Sequence, residues 1–168
     1  FLAGDGAKYD DDGHTWILGR TDDVLNVSGH RLSTIEIESA LVSHPWVTEA
    51  GVCPVADPKT GHAITAFVVL SPAAAAALPE AGPEDPAFTQ RVTVELRAHI
   101  SREIGPIAKP AAVVVVPDVP KTRSGKIMRR LLTQLFEGTA LGDTTSLQNE
   151  PCIPDIARIC AAREGADQ

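Results

Sequence analysis

Aromatic side chains and positive charge are both scarce in this chain. Phe, Trp and Tyr make up 4% of its 168 residues, and 15 Lys and Arg against 22 Asp and Glu leave a formal net charge of −7. A nucleic-acid surface needs a basic excess with aromatics interleaved among the cations, so that class of partner is set aside. Cysteine is sparse as well. Cys53, Cys152 and Cys160 are an odd set without the paired short spacings of a zinc site or a disulfide scaffold, which favours structural thiols in a reducing, cytoplasmic setting. His14, His44, His62 and His99 lack metal-ligand spacing, and no metal site is expected. The Asp10 to Asp12 run reads as a solvated turn. Neither a signal peptide nor a run of about eighteen apolar residues is present, so no membrane span is expected. An initial Met is missing too: the chain opens on Phe1, Leu2 and Ala3 and reads as a piece of a larger protein.

What is present suffices for one domain and a tail. A Gly/Asp-rich opening leads into Thr15–Leu18 and, across residues 19–23, into Val24–Val27, which together read as a small hairpin. Ser33 and Glu36 fit a capping box, and Ile37, Ala40 and Leu41 continue a helical stripe that His44 and Pro45 end. Ala50–Val55 and Ala63–Leu70 read as strands joined by the turn 57–61, the second strand apolar on both faces and therefore central. Residues 71–88, with several prolines and a five-Ala run, read as a surface insertion without a continuous hydrogen-bonded element. Thr89–Ile104 follows as a helix with Val92, Leu96, Ile100 and Ile104 on one stripe. The β-branched segment Ala111–Val116 is a buried strand, and Leu131–Phe136 a helix. From Gly138 onward, polar composition with Pro151 and Pro154 as breakers predicts a flexible acidic tail over 138–168.

One segment runs against the acidic composition. Residues 118–130, DVPKTRSGKIMRR, carry five positive charges: Lys121, Arg123, Lys126, Arg129 and Arg130. A cation on a loop that enters a helix suits phosphate chemistry. The string KTRSGK is not a phosphate-binding P-loop, because the earlier Gly of that motif is missing and Ile127 follows the lysine.

The segments GDG at 4–6, WILGRTDDVLNVSGHR at 16–31, EIGP at 103–106 and PKTRSGKIMRR at 120–130 resemble, in order and spacing, the C-terminal domain of the acyl- and aryl-adenylate-forming ligases, the acetyl-coenzyme A synthetases in particular. The resemblance covers residues 1–137 and leaves the last thirty or so outside it. It implies a small domain that swings over a large N-terminal domain, absent here, which binds ATP and the carboxylic acid. By resemblance Lys126 is the catalytic lysine of adenylation, Asp5, Arg20 and Arg31 meet the nucleotide, Ser28 and Gly29 line the coenzyme A tunnel, and Asp22 is the hinge. The family's pair of basic residues before Glu103 is here Ser101 and Arg102. The implied cofactors are ATP or AMP, coenzyme A, and Mg2+ arriving with the nucleotide; the implied acid is acetate, with propionate or another short-chain acid as the alternative. The family's lysine at this place is also a target of a GNAT-type acetyltransferase and a sirtuin-type deacetylase, so Lys126 is a candidate acetylation site and the domain a candidate docking module.

The expected architecture is α/β (α+β): an N-terminal hairpin and a three-stranded sheet flanked by helices, with the insertion 71–88 on its surface and the tail beyond residue 137.

Overall fold

Two long apolar strands organise the fold. In the computed structural model, which describes residues 5–20, 24–78 and 85–166, β5 (Val47–Asp57) and β6 (Gly61–Leu70) pair antiparallel along nearly their whole length. Asp57 sets the turn between them: its Oδ1 accepts the N–H groups of Lys59 at 2.9 Å and Thr60 at 2.7 Å, as an Asx turn requires. On the other side of β6, β7 (Ala112–Val115) pairs parallel to it from Thr65 to Val68, and all four of its residues are buried. β6 is central, as its apolar pattern predicts.

The expected three strands form, and two more join them. β3 (Val24–Val27) reaches the start of β6 through the pairing of Val27 with Gly61 and carries β4 (His30–Ser33) at the edge. An N-terminal hairpin also forms, but its strands are not those expected. β2 (Thr15–Arg20) pairs back with β1 (Asp5–Tyr9) as a separate two-stranded sheet, instead of forward with β3. The reason lies in the turns. Ser28 and Gly29 both have positive φ (49° and 81°), as the tight two-residue hairpin turn requires, so β3 closes on β4. Asp10 Oδ1 accepts the N–H groups of Asp12 at 3.1 Å and His14 at 2.8 Å, which folds β1 toward β2.

Helices cover both faces of the larger sheet. On one face lie α1 (Thr34–Val42), α2 (Pro72–Ala77) and α3 (Pro86–Glu103), whose Ile37, Leu41, Ala74, Phe88, Val92, Leu96 and Ile100 pack on Val52, Ile64, Ala66 and Val68. Ser33 Oγ accepts the Glu36 N–H at 3.4 Å, the Ser half of the capping box. Asp85 caps α3, with Pro86 at its first position. The region read as an unstructured insertion, 71–88, therefore holds a short Ser71-capped helix, and Ala74, Leu78 and Phe88 are core residues; its residues 79–84 lie outside the described residues. Proline did not prevent this because Pro72 and Pro86 each stand in a first turn, where no intrahelical N–H is needed.

The opposite face is covered by α4 (Arg129–Phe136) and α5 (Cys152–Ala166). Leu132, Leu135, Cys152, Ile156, Ile159 and Cys160 pack there on Cys53, Phe67, Val114 and Val116. The expectation of a flexible tail over 138–168 is thus corrected. Pro154 lies in the first turn of α5 and starts a helix rather than breaking one. Arg163 from α5 donates to the Val113 carbonyl at 2.8 Å, which occupies the outer edge of β7.

Candidate functional site

The basic run 118–130 crosses from β7 to α4 on the α4/α5 side of the sheet. Its middle is a tight loop. Lys121 and Ile127 form an antiparallel bridge, the Thr122 N–H donates to the Lys126 carbonyl at 2.9 Å, and the Gly125 N–H donates to the Thr122 carbonyl at 2.9 Å. Gly125 has φ +80°, a conformation that favours glycine at this place. The Lys126 N–H donates to Thr122 Oγ1 at 3.1 Å, so the backbone of the lysine is held while its side chain is exposed.

The five cations divide into two groups. Lys121 Nζ lies 2.8 Å from Glu49 Oε2 on β5 and 3.0 Å from Asp118 Oδ1. Burial alone lowers the Lys121 pKa, but the bonds to Glu49 and Asp118 outweigh it and hold the ammonium above its ordinary range. Burial likewise pushes the Asp118 carboxyl up, and hydrogen bonds from Asn149 and Lys121 bring it below the usual carboxylate range. Arg129 makes a two-pronged pair with Glu38, Nε to Oε1 at 3.0 Å and Nη2 to Oε2 at 2.7 Å, with both side chains largely buried. Glu38 Oε1 also accepts the Val52 N–H of β5 at 2.9 Å, so one carboxylate joins α1, β5 and α4. Arg130 Nη2 donates to the Asp143 carbonyl at 3.2 Å. Arg123 and Lys126 are exposed and have no side-chain partner among the described residues.

Packing fixes the far limb of the loop. A Cβ on Gly51 of β5 would stand 2.7 Å from Leu132 Cδ1 and 3.1 Å from Ile127 Cγ2, so the absence of a side chain there is what lets the run 127–132 lie close on the strand. The result is a loop bolted at both limbs with cations at its tip. Such an arrangement can offer an ammonium to an anionic group on another body.

The remaining predicted residues are spread over the other sheet elements. Ser28 and Gly29 form the exposed tip of the β3–β4 hairpin, and Arg31 is exposed on β4 opposite Asn26. Gly29 is required there by its positive φ; an added Cβ would meet nothing within 4 Å. Asp5 and Arg20 are register partners on β1 and β2, and Asp22 lies outside the described residues. No hydrogen bond or ion pair joins Lys126 to Ser28, Gly29 or Arg31 among the described residues. Arg102 is exposed at the end of α3, 4.0 Å from Glu95.

Two other groups of reactive side chains carry less chemistry. Asp10, Asp12 and His14 offer ligand atoms within 4.8 Å of one another, but they are engaged in the turn between β1 and β2, with Asp10 Oδ2 3.3 Å from His14 Nδ1. Burial pushes the Cys53 thiol up to about 12 and the Cys152 thiol up to about 11, which makes both poor nucleophiles. Among the described residues no helix is long and apolar enough to cross a membrane.

The AMP-binding enzyme C-terminal domain family matches residues 36–126, a stretch that runs from α1 to Lys126 itself and makes up more than half of the chain. The chain belongs to that family. This AMP-binding enzyme C-terminal domain is 56% identical over 147 residues, 88% of its length, to an acetyl-coenzyme A synthetase of Mycolicibacterium smegmatis. It is 54% identical over 167 residues, 99% of its length, to an acetyl-coenzyme A synthetase of Streptomyces avermitilis. The chain spans 14% of the first relative and 24% of the second. Among solved structures, a Brucella canis acyl-CoA synthetase matches 79% of this chain with a TM-score of 0.58 and 36% identity, over 22% of its own chain. Sequence reasoning singled out Lys126 as a candidate but not the residues that hold its loop: Glu38, Glu49, Gly51 and Asn149. Only Glu38 gave a local signal, as a carboxylate on the apolar face of α1, one turn from Thr34 and beside Ile37 and Leu41.

Proposed function

We propose that this chain is the mobile catalytic domain of a cytoplasmic acetate–coenzyme A ligase. The complete protein first joins acetate and ATP into acetyl-adenylate with release of pyrophosphate, then passes the acetyl group to coenzyme A with release of AMP. The single observation that carries this reading is Lys126, an exposed cation without a side-chain partner among the described residues, on a loop whose limbs are fixed by Lys121 and Arg129. The names of the relatives favour acetate over propionate or a longer acid.

The chemistry asks for such a group. When a carboxylate attacks the α-phosphorus of ATP, negative charge builds on oxygens that must be neutralised with little help from water. An ammonium held by a stiff loop supplies that charge with little reorganisation. The exposed cations Arg123 and Lys126 fit a polyphosphate ligand, and Mg2+ enters with the nucleotide, held mainly by the N-terminal domain. In this reading Asp5, Arg20 and Arg31 meet the ribose and phosphates, and the Ser28–Gly29 tip meets the pantetheine arm of coenzyme A. Asp22 is the hinge about which the domain turns between the two half-reactions.

The same exposure supports regulation at Lys126. Acetylation by a GNAT-type enzyme would remove the charge and stop adenylation, and a sirtuin-type deacetylase would restore it. Mass spectrometry of the chain after incubation with such an acetyltransferase is expected to find the mark on Lys126 and not on Lys121, whose ammonium is held by two carboxylates.

The decisive experiment separates the half-reactions. In the full-length ligase, Lys126→Ala is expected to lower acetate-dependent ATP–pyrophosphate exchange by about 10²–10³-fold. Conversion of preformed acetyl-adenylate by coenzyme A should stay within a few fold. An equal fall in both steps would refute the assignment, and so would pyrophosphate release by the 168-residue chain alone.

A further inference from the structure

The stretch between α4 and α5 lies beyond residues 36–126, which carry the family match, yet three of its residues are built into the base of the Lys126 loop. Leu147 forms an antiparallel bridge with Thr122, and the Gln148 N–H donates to the Lys121 carbonyl at 2.8 Å. Asn149 commits its whole amide to the limb before the loop. Its Oδ1 accepts the Lys121 N–H at 2.9 Å, and its Nδ2 donates to Asp118 Oδ2 and to the Val119 carbonyl, both at 2.7 Å. One side chain thus does for residues 118–121 what a neighbouring strand would do, satisfying a donor and an acceptor of the backbone together.

The strap is itself anchored. The Cys152 N–H donates to the Asn149 carbonyl at 3.1 Å, and from there α5 carries Cys152 and Ile156 into the core beside Val119 and Leu132. A continuous path of contacts therefore leads from the core through α5 and Asn149 to Asp118 and Lys121, and on through the Lys121–Ile127 bridge to the tip. Glu49 and Asp118 fix the Lys121 side chain, whereas Asn149 fixes the backbone on which that side chain stands.

We propose that Asn149 is a positioning residue, which orders the 118–126 loop so that the Lys126 ammonium is presented in one place. The role rests on the reading of Lys126 as the adenylation cation, and Asn149 acts on the reaction only through that loop. A small displacement of a catalytic group is enough to matter, since about 1 Å of misplacement can cost on the order of 10²-fold in rate.

Two measurements test it, one of them independent of catalysis. Amide hydrogen exchange of this chain reads the loop directly, because the Thr122, Gly125 and Lys126 N–H groups are all bonded within it. Asn149→Ala is expected to speed their exchange about tenfold or more while the β6 amides keep their protection. Asn149→Asp is the second variant, nearly isosteric, keeping the acceptor for Lys121 but replacing the donor with a carboxylate 2.7 Å from that of Asp118; the same loosening is expected. Unchanged loop exchange in both variants overturns the strap, whatever the activity does. In the full-length ligase, Asn149→Ala should lower kcat of acetyl-adenylate formation about tenfold, with KM for acetate and thioester formation from preformed adenylate within about twofold. A loosened loop with intact adenylation, or an equal loss in both half-reactions, overturns the positioning role. If Lys126→Ala itself spares adenylation, the functional reading fails, and the exchange result still decides the strap separately.

Discussion

At the limbs of the 118–130 run each cation has a partner: Lys121 sits between Glu49 and Asp118, Arg129 is clasped by Glu38, and Arg130 is turned toward the Asp143 carbonyl. In its middle, Arg123 and Lys126 face solvent with no side-chain partner among the described residues. Residue type does not distinguish Lys121 from Lys126; the surroundings do. Paired cations tie the run to α1 and β5, and the exposed ones are what the run presents. Such a segment can be stiff and still offer charge, because the interactions that order it are made by other side chains than the one on offer.

The contrast is broken most severely by removing a partner from a limb. Glu38→Ala takes away two acceptors of the Arg129 guanidinium and the acceptor of the Val52 N–H. With the two side chains only 17% and 12% exposed, the guanidinium is left with little water to compensate, and a loss of about 3 kcal/mol is expected in chemical denaturation of this chain. Glu38→Gln should recover part of it, since the amide keeps one acceptor. A loss below about 1 kcal/mol would mean that the clasp is ornamental and that packing of Ile127 and Leu132 on Gly51 suffices to hold the limb.

What could be read beforehand follows the range of the interactions. Capping by Ser33 and the stripe Val92, Leu96 and Ile100 were legible because they are local, and so was the buried strand at Ala112–Val115, from its run of β-branched residues. The segment around Lys126 stood out through its resemblance to the family that the comparison supports. Pairing was not. Glycine and aspartate at 19–23 look like a hairpin turn between β2 and β3, and nothing local reveals that Ser28 and Gly29 supply a better one. In the tail, Cys152, Ile156, Ile159 and Cys160 do trace a helical stripe, but Pro151 and Pro154 obscured it, although a first-turn proline costs a helix nothing. The partners of the basic run were beyond reach for a different reason: Glu38 lies 91 residues from Arg129 and Glu49 lies 72 from Lys121, so only the fold brings them together.

A milder perturbation, on the other face of the sheet, tests whether the two sides act independently. His44, buried after the end of α1, accepts the Trp46 N–H on Nδ1 at 3.2 Å and stands edge-on to His99, with Glu95 3.6 Å from its Nε2. Burial lowers its pKa, helped by the charges of His99 and Arg102 and opposed by Glu95. The unfolded chain therefore takes up the proton first, so this site costs no stability above the ordinary value of 6.5 and destabilises the fold as pH falls through it. A fall of a few degrees in the thermal midpoint is expected between about pH 7.5 and 5.5, flattened in His44→Gln. Exchange of the Lys126 amide should not follow it. If loop and α1–α3 interface loosened together, the limbs would be coupled to the whole domain and not to their own partners.

The smallest effect is the most discriminating. Lys126→Ala and Arg123→Ala are each expected to leave the stability of this chain within about 0.5 kcal/mol, because both side chains are exposed and neither has a side-chain partner among the described residues. Denaturant midpoints with unchanged slopes would establish it. A loss above about 1 kcal/mol from Lys126→Ala would place the lysine among the limb residues, and any fall in activity of that variant would then be explained by misfolding of the loop. Near-zero change in stability, beside a large fall in adenylation by the full-length protein, would trace that fall to the lost ammonium side chain and not to the fold: the loop would stand without Lys126 while the reaction would not.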